Sequence, residues 1–138
     1  MRICFVSRDS IYTQEKELIA AEADVIVGGF KSVGEVSYER ELKDETDYFE
    51  RLALLSQTTN SVIVCGCITD TKGFKRKSAV VAENGRLLGV SDMLNVVDGD
   101  GNSGAALKVY DTKAGKIGMI VAEDLYFPEV VKSLTLCG

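Results

Sequence analysis

The sequence predicts an α/β fold, and three observations predict it. Short apolar runs of strand length recur at residues 1–7, 24–27 and 61–69. Segments with helical spacing stand between them, the order expected of parallel strands joined by crossover helices. Further along, Asn84-Gly85 separates two alternating runs and is the preferred pair for a two-residue hairpin turn.

The elements follow in order. "MRICFVS", residues 1–7, is apolar and branched enough for a first buried strand. Residues 14–23 carry helix formers, with Leu18 and Ile19 on one side and Glu15, Lys16, Glu17 and Glu22 free for solvent. "ADVIVGGF" places a second strand at residues 24–27, running into Gly28 and Gly29. Residues 31–44 are polar and without period, so a loop is expected there. Thr46 stands where an N-cap belongs, Asp47 and Glu50 suit the positive end of a helix, and Phe49, Leu52, Ala53 and Ser56 recur at helical spacing up to a stop near Asn60. "SVIVCGCIT" is a third buried strand that ends in a turn around residues 70–74. Residues 77–81 and 86–90 form the arms of the Asn84-Gly85 hairpin. After a glycine-rich surface turn at residues 98–104, "ALKVYDT" and "KIGMIVA" form another strand pair around residues 113–115. Pro128 falls in a first helical turn, Glu129 complements the dipole, and the helix is expected to run to Gly138.

Composition excludes several function classes. With 138 residues, one domain spanning the chain is expected, and 46% hydrophobic against 27% charged residues is the balance of a chain that folds. Net charge is -5, and the basic residues are scattered apart from Lys75, Arg76 and Lys77, so nucleic acid is not an expected partner. No signal-peptide pattern and no apolar run of membrane-spanning length is present, so a cytoplasmic protein without a membrane partner is expected. The chain has no histidine, which excludes every Ser-His or Cys-His nucleophile pair.

The four cysteines, Cys4, Cys65, Cys67 and Cys137, are read as packing thiols without disulfides. Cys65 and Cys67 face the same side of a strand, but no histidine or second cysteine pair completes a tetrahedral site. Gly28-Gly29 lacks the third glycine of a dinucleotide fingerprint, and "DGDGNSG" lacks the later bidentate glutamate of a calcium loop. Neither a cofactor nor a metal is expected.

Four strings, in this order, resemble the nitrilase, or carbon-nitrogen hydrolase, superfamily: "EKELIAAEADVIV", "KSAVVAENGRLLGV", "LKVYDTKAGKIGMIV", and Asp124 with Phe127, Pro128 and Glu129. The resemblance implies a nitrilase-like four-layer α-β-β-α sandwich, of which this chain would supply roughly the N-terminal half. It also implies a Glu-Lys-Cys site, in which a thiolate attacks an amide or nitrile carbon, a glutamate handles the proton and a lysine ammonium steadies the oxyanion.

Carried over position by position, that site is empty. The family's Pro-Glu falls on Gly28 and Gly29, so the base position is Gly29. Its Gly-x-Tyr-x-Lys-x-His falls on residues 89–95, so the lysine position is Met93, or Asp92 with a slip of one. The nucleophile position is Ala122, at a corner between the apolar run "MIVA" and the helix signals at Pro128. Losing one member of such a unit costs on the order of a millionfold in turnover.

The function expected is therefore a degenerate hydrolase-like domain serving binding or assembly, alone or within a longer chain. Self-association is the expected partnership because half a sandwich leaves a sheet face or edge bare, and a small-molecule ligand is left open. The rival expectation is an active amide or nitrile hydrolase with Cys65 or Cys67 as nucleophile and Glu35 or Glu123 as base. Asp124 is read as a corner residue rather than as part of a new carboxylate site.

Overall fold

A computed structural model describes residues 1–7, 10–93 and 108–137. Strand β1 (Ile3–Val6) leads through a 3-10 turn (Ile11–Thr13) into α1 (Glu15–Ala21) and β2 (Val25–Gly28). Then come α2 (Phe30–Val33), β3 (Glu35–Ser37), α3 (Tyr38–Leu42) and α4 (Tyr48–Thr59). Two long strands, β4 (Val62–Thr71) and β5 (Phe74–Glu83), precede β6 (Arg86–Asp92). A short hairpin, β7 (Val109–Thr112) and β8 (Gly115–Gly118), is followed by a 3-10 turn (Ala122–Tyr126) and α5 (Pro128–Leu136).

Strands β1, β2, β4, β5 and β6 line up in that order, with β3 added to the far end of β4, and β7–β8 forms a separate two-stranded sheet. β1, β2 and β4 run parallel, as the strand-helix-strand order predicts, whereas β4–β5 and β5–β6 are antiparallel hairpins. The central strands are apolar at successive positions because both of their faces are covered. On one face Leu18 of α1 and Leu52 and Leu55 of α4 close a core with Ile26, Ile63, Cys65 and Cys67. On the other face Val25, Val62, Ala79 and Val81 meet Tyr110 and Met119 from the hairpin segment. Leu134 of α5 lies 3.3 Å from the place a Cβ of Gly118 would occupy, so α5 covers the outside of the hairpin. The layers run α, β, β, α.

Where the structure departs from the sequence expectations, short elements and distant partners are the cause. Residues 31–44, expected as a loop, hold α2, β3 and α3. None is long enough to show a period, and tertiary contacts hold them: the Ile68 N–H donates to Gly34 O, and Val36 is fully buried. Thr46 does not cap α4; Asp47 takes the cap position, and the Glu41 carboxylate instead accepts from Tyr48 N–H at 3.0 Å and Thr46 Oγ1 at 2.9 Å. The last helix stops at Leu136 rather than at the chain end. The strand expected over "KIGMIVA" ends at Gly118. The glycine-rich turn at residues 98–104 lies outside the described residues.

The Asn84-Gly85 turn forms as expected, with φ of 50° and 78° at the two residues, the left-handed pair a type I′ hairpin needs. A second glycine is set by close approach. A Cβ at Gly89 would stand 2.7 Å from Cε1 of Tyr110, whose hydroxyl bonds to Ser91 Oγ at 2.9 Å, so Tyr110 seats the hairpin on β6. Gly89→Ala is expected to cost about 1–3 kcal/mol through overpacking. Tyr110→Phe, which keeps the ring and loses one hydrogen bond, is expected to cost about 1 kcal/mol, and urea titration of the two variants against the parent reads both.

Candidate functional site

The corner after β8 is built from an apolar approach and a turned backbone. Met119 and Val121 are buried, and at Ala122 the chain enters the left-handed region with φ of 48°. For a residue with a Cβ that conformation costs roughly 1–2 kcal/mol, and alanine has no side chain able to bond locally in return. The turn closes through Asp124 N–H on Val121 O at 3.1 Å and Phe127 N–H on Asp124 O at 3.1 Å. Asp124 itself is 2% exposed, in keeping with a corner residue. Pro128 then opens α5 in its first turn, where a missing N–H costs nothing.

Ala122 belongs to the edge of the core between the two sheets, and Met93 lies inside that core at 1% exposure. Phe30, next to Gly29, joins the same cluster, its ring stacked over Gly66 so closely that a Cβ there would meet Phe30 Cδ1 at 3.1 Å. Gly29 is the N-cap of α2, exposed, with nothing within 4 Å of the place its Cβ would take. Met93, Ala122 and the neighbour of Gly29 thus belong to one apolar cluster, from three distant stretches. The side chains these positions contribute to it are a thioether, a methyl and a benzyl group.

The two strand cysteines lie elsewhere. Val62 and Val64 of β4 face the hairpin side, whereas Ile63, Cys65 and Cys67 face α4, so the thiols are on the opposite side of the sheet from Ala122. Burial pushes the Cys65 thiol up to about 12, against a smaller lowering by its bond with the Gly28 backbone. Burial, reinforced by the Asp92 carboxylate, pushes Cys67 up to about 12 as well. Both stay protonated near neutral pH.

Of the remaining candidates, Glu35 is also apart from the corner. Glu35 sits on β3 at the surface, 2.9 Å from Lys75 Nζ. The side chain of Glu123 lies outside the described residues. Asp92 turns away from Met93 and accepts from Ser78 Oγ at 2.6 Å, while Thr69 Oγ1 meets Ser78 Oγ at 2.9 Å. Sequence reading did not find this partly buried hydroxyl–carboxylate chain, whose ends, Thr69 and Asp92, are 23 positions apart; the signal was polar residues placed in otherwise apolar strands. Among the described residues no group of three acidic or thiol side chains could hold a metal ion, and no helix is long and apolar enough to cross a membrane.

No protein-family model and no curated protein matches the sequence. Solved structures do. A carbon-nitrogen hydrolase from Helicobacter pylori G27 superposes with a TM-score of 0.73 at 20% identity, over 99% of this chain and 56% of its own. An amidase from Nesterenkonia sp. AN1, in a variant whose active-site cysteine carries the acetamide moiety of fluoroacetamide, gives 0.77 at 15% identity, over 100% of this chain and 62% of its own. The glutamine-dependent NAD+ synthetase of Acinetobacter baumannii gives 0.70 at 22% identity, over 99% of this chain and 30% of its own.

The chain therefore has the nitrilase-type carbon-nitrogen hydrolase fold, in part. It spans 30–62% of the length of these three neighbours.

Proposed function

We propose that this chain is a carbon-nitrogen hydrolase-like domain that has lost hydrolysis and serves as a binding or assembly module, working in the cytoplasm. The observation that carries the reading is the corner itself. Ala122 keeps a left-handed backbone at the strand-to-helix turn, yet its side chain is a methyl group facing an apolar core that contains Met93. Such strain persists where the surrounding structure over-determines it, and commonly where a reacting atom is presented. Here the strained corner carries a methyl group and no reacting atom, which supports the reading.

Covalent amide hydrolysis needs a nucleophile, a base within reach of its proton, and a donor at the developing oxyanion. A protonated thiol behind the sheet supplies none of these at Ala122. The experiment is an ammonia-release assay with acetamide, propionamide and butyronitrile, beside the Cys65→Ser and Cys67→Ser variants. The expected result is release at the rate of buffer alone for all three proteins. Turnover by the parent chain that either serine substitution abolishes would establish the rival, an active hydrolase with a relocated cysteine.

A further inference from the structure

The two layers of strands meet face to face, and no ladder of backbone hydrogen bonds joins them. Among the described residues β7 and β8 pair with each other and stand apart from the six-stranded sheet. Between the layers lies an apolar core, to which Val25, Val62 and Val81 come from one side and Met119 and Val121 from the other. Side-chain bonds from the β7 segment and its turn add to that packing. Lys108 Nζ donates to Val90 O at 3.0 Å, and the Tyr110 hydroxyl meets Ser91 Oγ at 2.9 Å. Lys113, in the turn between β7 and β8, holds two further segments at once. Its backbone N–H donates to Glu83 Oε1 at 2.6 Å, at the end of β5. Its ammonium donates to Asn60 O at 2.5 Å and to Asn60 Oδ1 at 2.7 Å.

We propose that Lys113 is a latch: the β7–β8 hairpin lifts from the large sheet as a unit, and the Lys113–Asn60 bond sets how often it does so. Asn60 is the left-handed C-cap of α4, with φ of 52°, so the ammonium closes on the negative end of a twelve-residue helix. The bond joins residues 53 positions apart and belongs to neither sheet's own ladder. It is therefore lost whenever the hairpin tip moves away from α4, while the ladders within both sheets can remain.

Lys113 differs in this from Tyr110. The Tyr110 ring fills the space over Gly89 and is buried, so it holds the hairpin by packing as well as by its hydroxyl. Lys113 is exposed, and its contribution comes through its bonds. Removing its charge changes the opening of the layer without leaving a hole in the core. A two-stranded hairpin freed from its packing is at best marginally stable in water, so its amides exchange when the layer lifts. The inference goes beyond the proposed function and holds whether or not the chain hydrolyses amides.

The test is hydrogen exchange of the whole chain, with β7–β8 amides read against those of β2 and β4. In the parent, β7–β8 should exchange at least about tenfold faster than β4, as a local opening does. Lys113→Met, which keeps an apolar stem and loses the ammonium, should speed β7–β8 by a further factor of about five or more and leave the β4 rates in place. Asn60→Gly tolerates the same left-handed backbone and removes Oδ1. It should act in the same direction alone and add nothing at the hairpin once Lys113→Met is present, because the two changes remove one interaction. Equal protection of both sheets in the parent overturns the proposal, since the layers then open together. So does a Lys113→Met protein whose β7–β8 rates are unchanged, or whose β4 rates rise by the same factor. A Lys113→Met chain that fails to fold, judged by circular dichroism, also overturns it, because the bond would then carry the whole fold rather than one layer.

Discussion

Replacing Met93 with lysine lowers the stability of the fold by about 3–5 kcal/mol at neutral pH, the cost of leaving a buried charge without a partner. Met93 is 1% exposed, and the cluster around it consists of valine, alanine, methionine and a tyrosine whose hydroxyl is already bonded to Ser91. An ammonium placed there loses its water among these apolar side chains. The sign of the pH dependence follows. The buried lysine would have a folded-state pKa depressed below its unfolded value, so the unfolded state binds more protons and the deficit relative to the parent shrinks as pH rises. Met93→Leu, close in volume, should cost less than about 1.5 kcal/mol. Urea midpoints at two pH values, each read against the parent, check the prediction. A Met93→Lys protein as stable as the parent would mean that the pocket still accepts the ammonium that the family resemblance places there.

At neutral pH Cys65 and Cys67 should alkylate with iodoacetamide about a thousandfold or more slowly than the exposed Cys137. The thiolate is the nucleophile, and both buried thiols are raised from 9.0 to about 12. Closed packing adds a further barrier, since neither sulfur belongs to an exposed residue. Peptide mass mapping over time reads each rate separately. Fast labelling of either strand cysteine would revive the relocated-nucleophile reading.

The same two thiols set an alkaline limit to stability. Unfolded chains release these protons near pH 9, whereas the folded chain holds them to about 12. The folded state therefore binds more protons inside that window, so stability is intact below pH 9 and falls as pH rises through it. The slope is about 1.4 kcal/mol per pH unit for each thiol. Half-buried Tyr12 and Tyr38, both raised mainly by desolvation, act in the same direction from about pH 10 upward. The double variant Cys65→Ala, Cys67→Ala should show a shallower decline between pH 9 and pH 10, after allowance for its lower stability at neutral pH.

Some of this was legible one segment at a time. β2 and β4 announce themselves because parallel strands covered on both faces carry continuous apolar runs. The Asn84-Gly85 turn is fixed by the φ its two residues tolerate, and α4 by a helical stripe twelve residues long. The short elements between residues 30 and 42 were illegible, because a four-residue helix and a three-residue strand have no period and are held by β4 rather than by themselves. The cap of α4 was missed for a related reason: its acceptor, Glu41, comes from the preceding helix.

The candidate site divides in the same way. Residue identities alone determined that no histidine could take part, and that the positions the resemblance makes catalytic hold glycine, methionine and alanine. Only tertiary structure decided that Met93 and Ala122 share one core, that Cys65 and Cys67 face away from it, and that the backbone at Ala122 is left-handed. The exposure of Ile3 and Phe5 on the outermost strand β1, among the described residues, was likewise decided only there. Alternation along a strand says which residues share a face; which layer covers that face depends on where distant segments come to rest.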